Sequence, residues 1–318
     1  MNLVWRATAR GAAAVRANLR LVALLWLVNL GVALAAGLPG WLTLSEVMGP
    51  LPRADALSES LRFGVVSDLA ELYPELLTHI GRTAIAAFGL AWIVALAAAG
   101  GTLEVLMRED GRSFAHRFGR GAGRHFGRFL RLALVSLVAG PVLVGITAGP
   151  LLMWSRYLRR ESGSEWLAMS VWTFAAAVAA VAVLLTLLVQ DAARVRLVRL
   201  DERRVWREWR SAVALVLGHP AKWLGAWSWN ALALALVFAL FLAVSDAIPP
   251  GPLLVVLVLL QQAFVLARCS LRVALVGAEV ELVSQLRPMP VPEPPAPAAP
   301  PVQDLAEPSP PEPPVAAA

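Results

Sequence analysis

Six apolar blocks, each about 20 residues or more in length, constrain this chain more than anything else in it, because about 20 apolar residues in a helix match the thickness of a bilayer. They run over 21–38, 83–107, 129–154, 169–190, 223–244 and 252–272. The composition agrees: 58% of the 318 residues are hydrophobic and 16% are charged, against about 25% charged in ordinary soluble domains. The expected fold class is an all-α integral membrane protein. The third block carries Gly140-Pro141 and Gly149-Pro150, so a kinked or early-ending helix is expected there. The first block also has the make-up of a signal peptide, with an Arg-rich start and "ALAAG" at its end. Its core is long, however, and cleavage would leave an odd number of spans.

Basic residues orient the spans. Segments 1–20, 108–131, 194–222 and 268–287 carry 22 of the 28 Lys and Arg, whereas loops 39–82, 155–168 and 245–251 carry 6. By the positive-inside rule both termini are expected in the cytoplasm of a bacterial cell, with the protein in the inner membrane. There is one cysteine, Cys269, so no disulfide framework and no cysteine metal site is expected.

The segment before the third span reads FAHRFGRGAGRHFGRFLR, residues 114–131. At about 100° per residue, Phe114, Phe118, Ala122, Phe126 and Phe129 share one stripe of a helix. Arg117, Arg120, Arg124, Arg128 and Arg131 lie opposite. Four glycines weaken such a helix, each by up to about 1 kcal/mol against Ala. RNA binding would draw on the same residue types, but it gives no reason for Phe and Arg to separate, so no nucleic-acid partner is expected. His116 and His125 stand nine residues apart, out of helical register, with no further ligand, so no metal is expected. What remains is a basic amphipathic helix at the membrane surface. Its arginines Arg117, Arg120, Arg124 and Arg128 are candidates for contact with anionic lipid headgroups.

The plan recurs. After the fourth span, Val205, Trp206, Trp209, Ala212, Val213, Val216 and Leu217 share a face, with Arg203, Arg204, Arg207, Glu208 and Arg210 on the other; Arg203, Arg207 and Arg210 join the candidate lipid contacts. Gly218-His219-Pro220 is a stop, with Gly218 suited to the C′ position. Asp110 and Asp201 are placed as helix N-caps. At the N-terminus Val4, Ala12, Val15 and Leu19 line up, with Thr8 as one polar intrusion. "MREDGRSF" at 107–114 overlays "VRLDERRV" at 198–205 with an offset of 91. Six transmembrane helices are therefore expected as three hairpins, each preceded by a basic amphipathic interfacial helix. Residues 1–287 form this membrane domain. The first outer loop adds Leu69, Leu72, Leu76, Leu77 and Ile80 at helical spacing, with Pro74 dividing them. Residues 288–318 hold thirteen of the 23 prolines and no basic residue, so a disordered, Pro-rich cytoplasmic tail is expected there, its PxxP at Pro294–Pro297 included.

Polar residues inside spans are where function is sought first. On the sixth span Gln261, Arg268, Arg272 and Glu279 fall on one line, a polar stripe that must face helices or water. Gln190, Asp191 and Arg194 end the fourth span. Asn29 and Asn230 are single amides, expected to act as helix–helix glue. There is no Gly-rich phosphate loop, no HExxH and no GxSxG, and His79, His116, His125 and His219 fall outside the spans. No enzyme activity and no cofactor is expected.

The six spans, "GGTLEVLM" at the end of the second, the Arg-rich helix before the third, and "QDAARVRLV…LGHPAKWLGAW" resemble a broad group of uncharacterised six-span bacterial inner-membrane proteins. That group is similar to the membrane region attached to some glycerophosphodiester phosphodiesterases. The resemblance covers about 1–287 and implies an architecture; it brings no catalytic residue. The expected function is that of a non-enzymatic polytopic membrane protein, a scaffold or accessory subunit that packs against the lipid bilayer and a membrane protein partner. The alternative is a small transporter or permease for a lipid or small solute, using the stripe on the sixth span. The units are parallel, whereas many secondary transporters use inverted repeats.

Overall fold

A computed structural model describes residues 3–48, 74–108, 111–161, 164–248 and 254–286. Among these the structure is helical, with no strand. In chain order the helices are α1 (Leu3–Ala17), α2 (Leu19–Met48), α3 (Pro74–Met107), α4 (Phe114–Glu161), α5 (Glu165–Leu200), α6 (Val205–Gly218), α7 (Pro220–Asp246) and α8 (Leu254–Leu286). Six of them, α2, α3, α4, α5, α7 and α8, are long and apolar enough to cross a membrane. The chain is a multi-pass membrane protein, and its six long helices form the three hairpins α2–α3, α4–α5 and α7–α8.

Sequence and structure differ in the second unit. The basic helix does not stop before the third span; α4 runs unbroken for 48 residues through Pro141 and Pro150, about 72 Å at the α-helical rise. A proline removes one backbone bond, and within a span that loss is offset by neighbouring helices and local adjustment. The expected early end is thus corrected. Asp201 is corrected too: it is the C-cap of α5, in the left-handed region at φ 52°, not the N-cap of α6, which is Arg204. An Asp tolerates that conformation better than most side chains. Gly218 is the last residue of α6 rather than C′, while His219 caps it and Pro220 opens α7, where its missing N–H has no partner to lose. Pro74 likewise opens α3. Asp110, Leu69, Leu72 and the Pro-rich tail lie outside the described residues.

Small residues set how the short or basic helices pack. Gly121 of α4 crosses α3 so closely that a Cβ on it would sit 2.8 Å from the Gly100 carbonyl oxygen. Phe118 covers Gly101, and Phe129 is wholly buried. The phenylalanine stripe therefore packs on protein, where a lipid-facing stripe was expected. On α1, Ala7 and Gly11 are buried, and Gly11 meets Gly277 of α8, whose Cβ would come within 3.1 Å of the Gly11 Cα. Thr8, the polar intrusion, returns its hydroxyl to the Val4 carbonyl at 2.9 Å, which satisfies it within its own helix. On α6 the matching position is Ala212, wholly buried and 91 residues after Gly121, the same offset that separates the helix starts Phe114 and Val205.

These contacts follow one rule. Each hairpin's leading helix packs on the returning span of another hairpin: the start of α4 on α3, α6 on α5, and α1 on α8. The last pairing joins the first unit to the third, so the three units close into a ring. All three leading helices gather at one end of the bundle, called the basic end below. The buried core sits at this end, around Leu103, Phe129, Leu132, Val195, Leu197, Val216, Trp223 and Leu282. Toward the opposite end the spans expose large apolar side chains such as Ile85, Ile146, Trp166, Leu236 and Val255, the pattern of helices that face lipid.

Candidate functional site

The polar stripe of α8 opens into a cavity of about 310 Å³ between α2, α3, α5 and α8. Five charged side chains line it: Asp191 and Arg194 from α5, and Arg268, Arg272 and Glu279 from α8. Asn29 of α2 and Thr102 of α3 add neutral polar groups. Spacing alone places the α8 residues here, since 268, 272 and 279 recur at close to whole helical turns. Gln261 does not join them. It is exposed on α8, and its neighbour Gln262 instead accepts a hydrogen bond from Trp26 Nε1 at 3.0 Å. The glue between α2 and α8 is thus Gln262 together with Asn29, whose amide donates to the Leu25 carbonyl at 2.8 Å and reaches Cys269 Sγ at 3.6 Å.

The charges pair unevenly. Arg194 Nη1 donates to Asp191 Oδ1 at 2.8 Å. Arg272 reaches both oxygens of the same carboxylate, at 3.3 and 3.4 Å. Asp191 therefore serves two guanidinium groups, a link between α5 and α8 that the sequence, 81 residues apart, gave no sign of. Glu279 is 3% exposed, and its Oε1 has no hydrogen-bond partner. Arg268 makes no hydrogen bond or ion pair with any described residue. Arg194 and Arg272 share the Asp191 carboxylate, so Arg268 is the guanidinium of the cavity left without an ion pair among the described residues.

A second space lies on the other side of α8. It is a groove of about 610 Å³ between α7 and α8, and Arg268 and Arg272 line it too. Its remaining walls are apolar except for Asn230, which is buried and donates to the Ala226 carbonyl at 3.4 Å. Asn230 is thus a groove-lining amide, with no bond to another helix.

Most of the candidate lipid-contacting arginines of α4 are engaged with protein. Arg117 donates to the Arg108 carbonyl at 2.9 Å. Arg124 and Arg128 both pair with Asp201, the latter at 2.8 Å. The Arg128 hydrogen bond, with the positive field of both guanidinium groups, holds the Asp201 carboxyl below the ordinary aspartate range. Arg120 lies half-buried on the same helix. Arg207 and Arg210 on α6 and Arg203 just before it are exposed and remain the more accessible cations.

Two buried polar pairs at the basic end were not anticipated. His125, expected outside the spans, is wholly buried in α4, with Nε2 3.2 Å from Glu104 Oε2 on α3. The signal was Glu104 itself, the one charged residue in "GGTLEVLM". His116 is exposed beside Arg112, so the two histidines do not converge. Glu208 of α6, expected on the polar face with the arginines, is instead buried, where it forms an ion pair with Arg196 of α5 at 2.7 Å, side chains 5% exposed each. Neither pair lines the cavity or the groove beside α8, so each reads as a lock between a returning span and the helix packed on it. Among the described residues, no group of His, Cys, Asp or Glu could hold a metal ion. Comparison of the chain with protein-family models, with curated proteins and with solved structures yields no match.

Proposed function

We propose that this is a non-enzymatic ligand-binding protein of the bacterial inner membrane, a small carrier or permease that holds its ligand at the α8 stripe. The resemblance to the uncharacterised six-span inner-membrane group belongs to the same proposal. One observation carries the reading: Arg268, within the sixth span, has no hydrogen bond or ion pair among the described residues and lines both spaces flanking α8. An unpaired charge at such depth is costly, and a ligand anion would offset that cost. In the alternative, a scaffold or accessory subunit, Arg268 would bind a helix of this chain or of its partner; among the described residues it makes no such bond.

The two readings part on one variant. Arg268→Leu is expected to leave thermal stability in detergent within about 0.5 kcal/mol of the parent. It is expected to abolish stabilisation by any hit from a panel of soluble anions and anionic lipids. A loss of about 1–3 kcal/mol, the cost of orphaning a buried partner, with ligand response intact, would favour the scaffold.

The orientation is part of the proposal. The basic end carries the Arg-rich helices, which supports a cytoplasmic assignment for that end and for both termini. Reporter fusions after Ser60 and Ser164 are expected to read outside, and fusions after Gly123, Ser211 and Ala299 inside. An outside signal at Gly123 overturns the arrangement.

A further inference from the structure

The groove between α7 and α8 differs in character along its length. Phe264 of α8 meets both Phe238 and Phe241 of α7, with ring centroids 5.9 and 5.0 Å apart, which sets the antiparallel register of the two helices to within a turn. Counting from those contacts, Arg268 stands within a turn of Leu234, and Arg272 within a turn of Asn230, nearer the basic end. One end of the groove is therefore aromatic and aliphatic. Toward the other, two guanidinium groups and a carboxamide stand among Trp227, Leu271 and Leu275. Arg268 lies fourteen residues after the start of α8 at Leu254, about 21 Å along the helix, or roughly two thirds of a hydrocarbon thickness of about 30 Å. A charge at that level is within reach of a headgroup of the leaflet at the basic end.

We propose that the α7–α8 groove is a binding site for one anionic phospholipid. Its phosphate sits at Arg268 and Arg272, and one acyl chain runs along Leu234, Phe238 and Phe264. The proposal rests on the ligand-binding reading above and names the ligand's class. Three features favour it over a soluble anion or a bare snorkelling side chain. Arg268 is the guanidinium of the stripe with no ion pair among the described residues, and a phosphate would supply its counter-charge. Guanidinium groups present paired donors that fit phosphate oxygens. An arginine that merely snorkels needs only its own methylene stem along apolar surface, whereas here a groove of about 610 Å³ continues from the guanidinium groups into an apolar cleft, within the size range of small-molecule sites, about 300–1,000 Å³. Arg272 is the weaker partner, because Asp191 already occupies it from the other side.

The test uses the full chain, delipidated in a neutral detergent. Thermal unfolding is followed with phosphatidylglycerol, with phosphatidylcholine of the same chains, and with inorganic phosphate, and native mass spectrometry counts lipids retained per protein. Phosphatidylglycerol is expected to raise the transition temperature and to be retained at one molecule per protein, with little effect from the other two probes. Arg268→Leu is expected to weaken phosphatidylglycerol binding about tenfold or more, the worth of one charge-assisted contact, with the lipid-free transition unchanged. Leu234→Trp, which fills the groove and keeps every charge, is expected to do the same. Its lipid-free transition shows whether it folds, and Arg268→Leu decides alone if it does not. Equal response to both lipids overturns the proposal in favour of bulk lipid against the helices. A response to inorganic phosphate that Arg268→Leu removes also overturns it, and leaves the ligand-binding reading standing with a soluble anion. No response to any of the three overturns both.

Discussion

Arg196→Met is expected to destabilise the protein by about 3–5 kcal/mol, the cost of leaving a buried charge without its partner. Arg196 holds Glu208 through two donors, Nε at 2.9 Å and Nη2 at 2.7 Å, and both side chains are 5% exposed. The pair joins the end of α5 to α6 across the bend in which Asp201 takes its left-handed conformation. Removing the arginine strands the Glu208 carboxylate among Val205, Ala212 and Val216, all buried. Two responses are open to it: the carboxylate takes up a proton, or α6 lifts from α5. Glu208→Leu alone strands the guanidinium and is expected to cost a similar amount. The double variant Arg196→Met, Glu208→Leu removes both charges, and replacing a buried ion pair by apolar groups is often neutral or better. It is expected to return to within about 1 kcal/mol of the parent. The measurement is a double-mutant cycle on unfolding in mixed micelles. Single variants that cost less than about 1 kcal/mol would show the pair behaving as an exposed one.

The reach of the sequence follows from which interactions are local. The spans were legible because an apolar block of bilayer length has few other uses, and each of the six coincides with a long helix. The α8 line of Arg268, Arg272 and Glu279 was legible because residues four and seven apart share a helix face. Gln261 fits the same periodicity and still lies outside the cavity, since periodicity gives a face and not how far along it a neighbour reaches. The pairings were not legible. Arg272 with Asp191, Arg124 and Arg128 with Asp201, and His125 with Glu104 each join different helices, and one sequence holds no record of which helices touch. The aromatic stripe of α4 shows the same limit. Phe118 and Phe129 point to an apolar surrounding, and a bilayer and the face of α3 satisfy that equally. The deciding signal was glycine. Gly121 and Gly100 read as helix-weakening residues, whereas in the fold they are where two backbones touch.

That distinction makes glycine the sharpest probe of the ring. Gly11→Ala is expected to destabilise the protein by about 1–3 kcal/mol or more, as overpacking does in a close-packed contact. The new methyl would overlap the Ala274 carbonyl of α8 and lie 3.0 Å from its carbon, and a backbone carbonyl inside a helix cannot turn aside as a side-chain tip can. The strain is relieved only if α1 moves off α8, which breaks the helix pairing that closes the ring between the first unit and the third. Glycines that meet nothing are expected to respond in the opposite sense. Gly119 and Gly127 lie on the same helix as Gly121, with no atom within 4 Å of an added Cβ. Alanine there gains helix propensity, up to about 1 kcal/mol at each position. Gly121→Ala belongs with Gly11→Ala, since its methyl would meet Glu104 and the Gly100 carbonyl. Four single variants, compared by thermal unfolding in one detergent, are thus expected to split by sign, with Gly11 and Gly121 losing stability and Gly119 and Gly127 keeping or gaining it. A uniform gain across all four would mean that α1 and the start of α4 do not touch the bundle, and the ring of three units would fall with them.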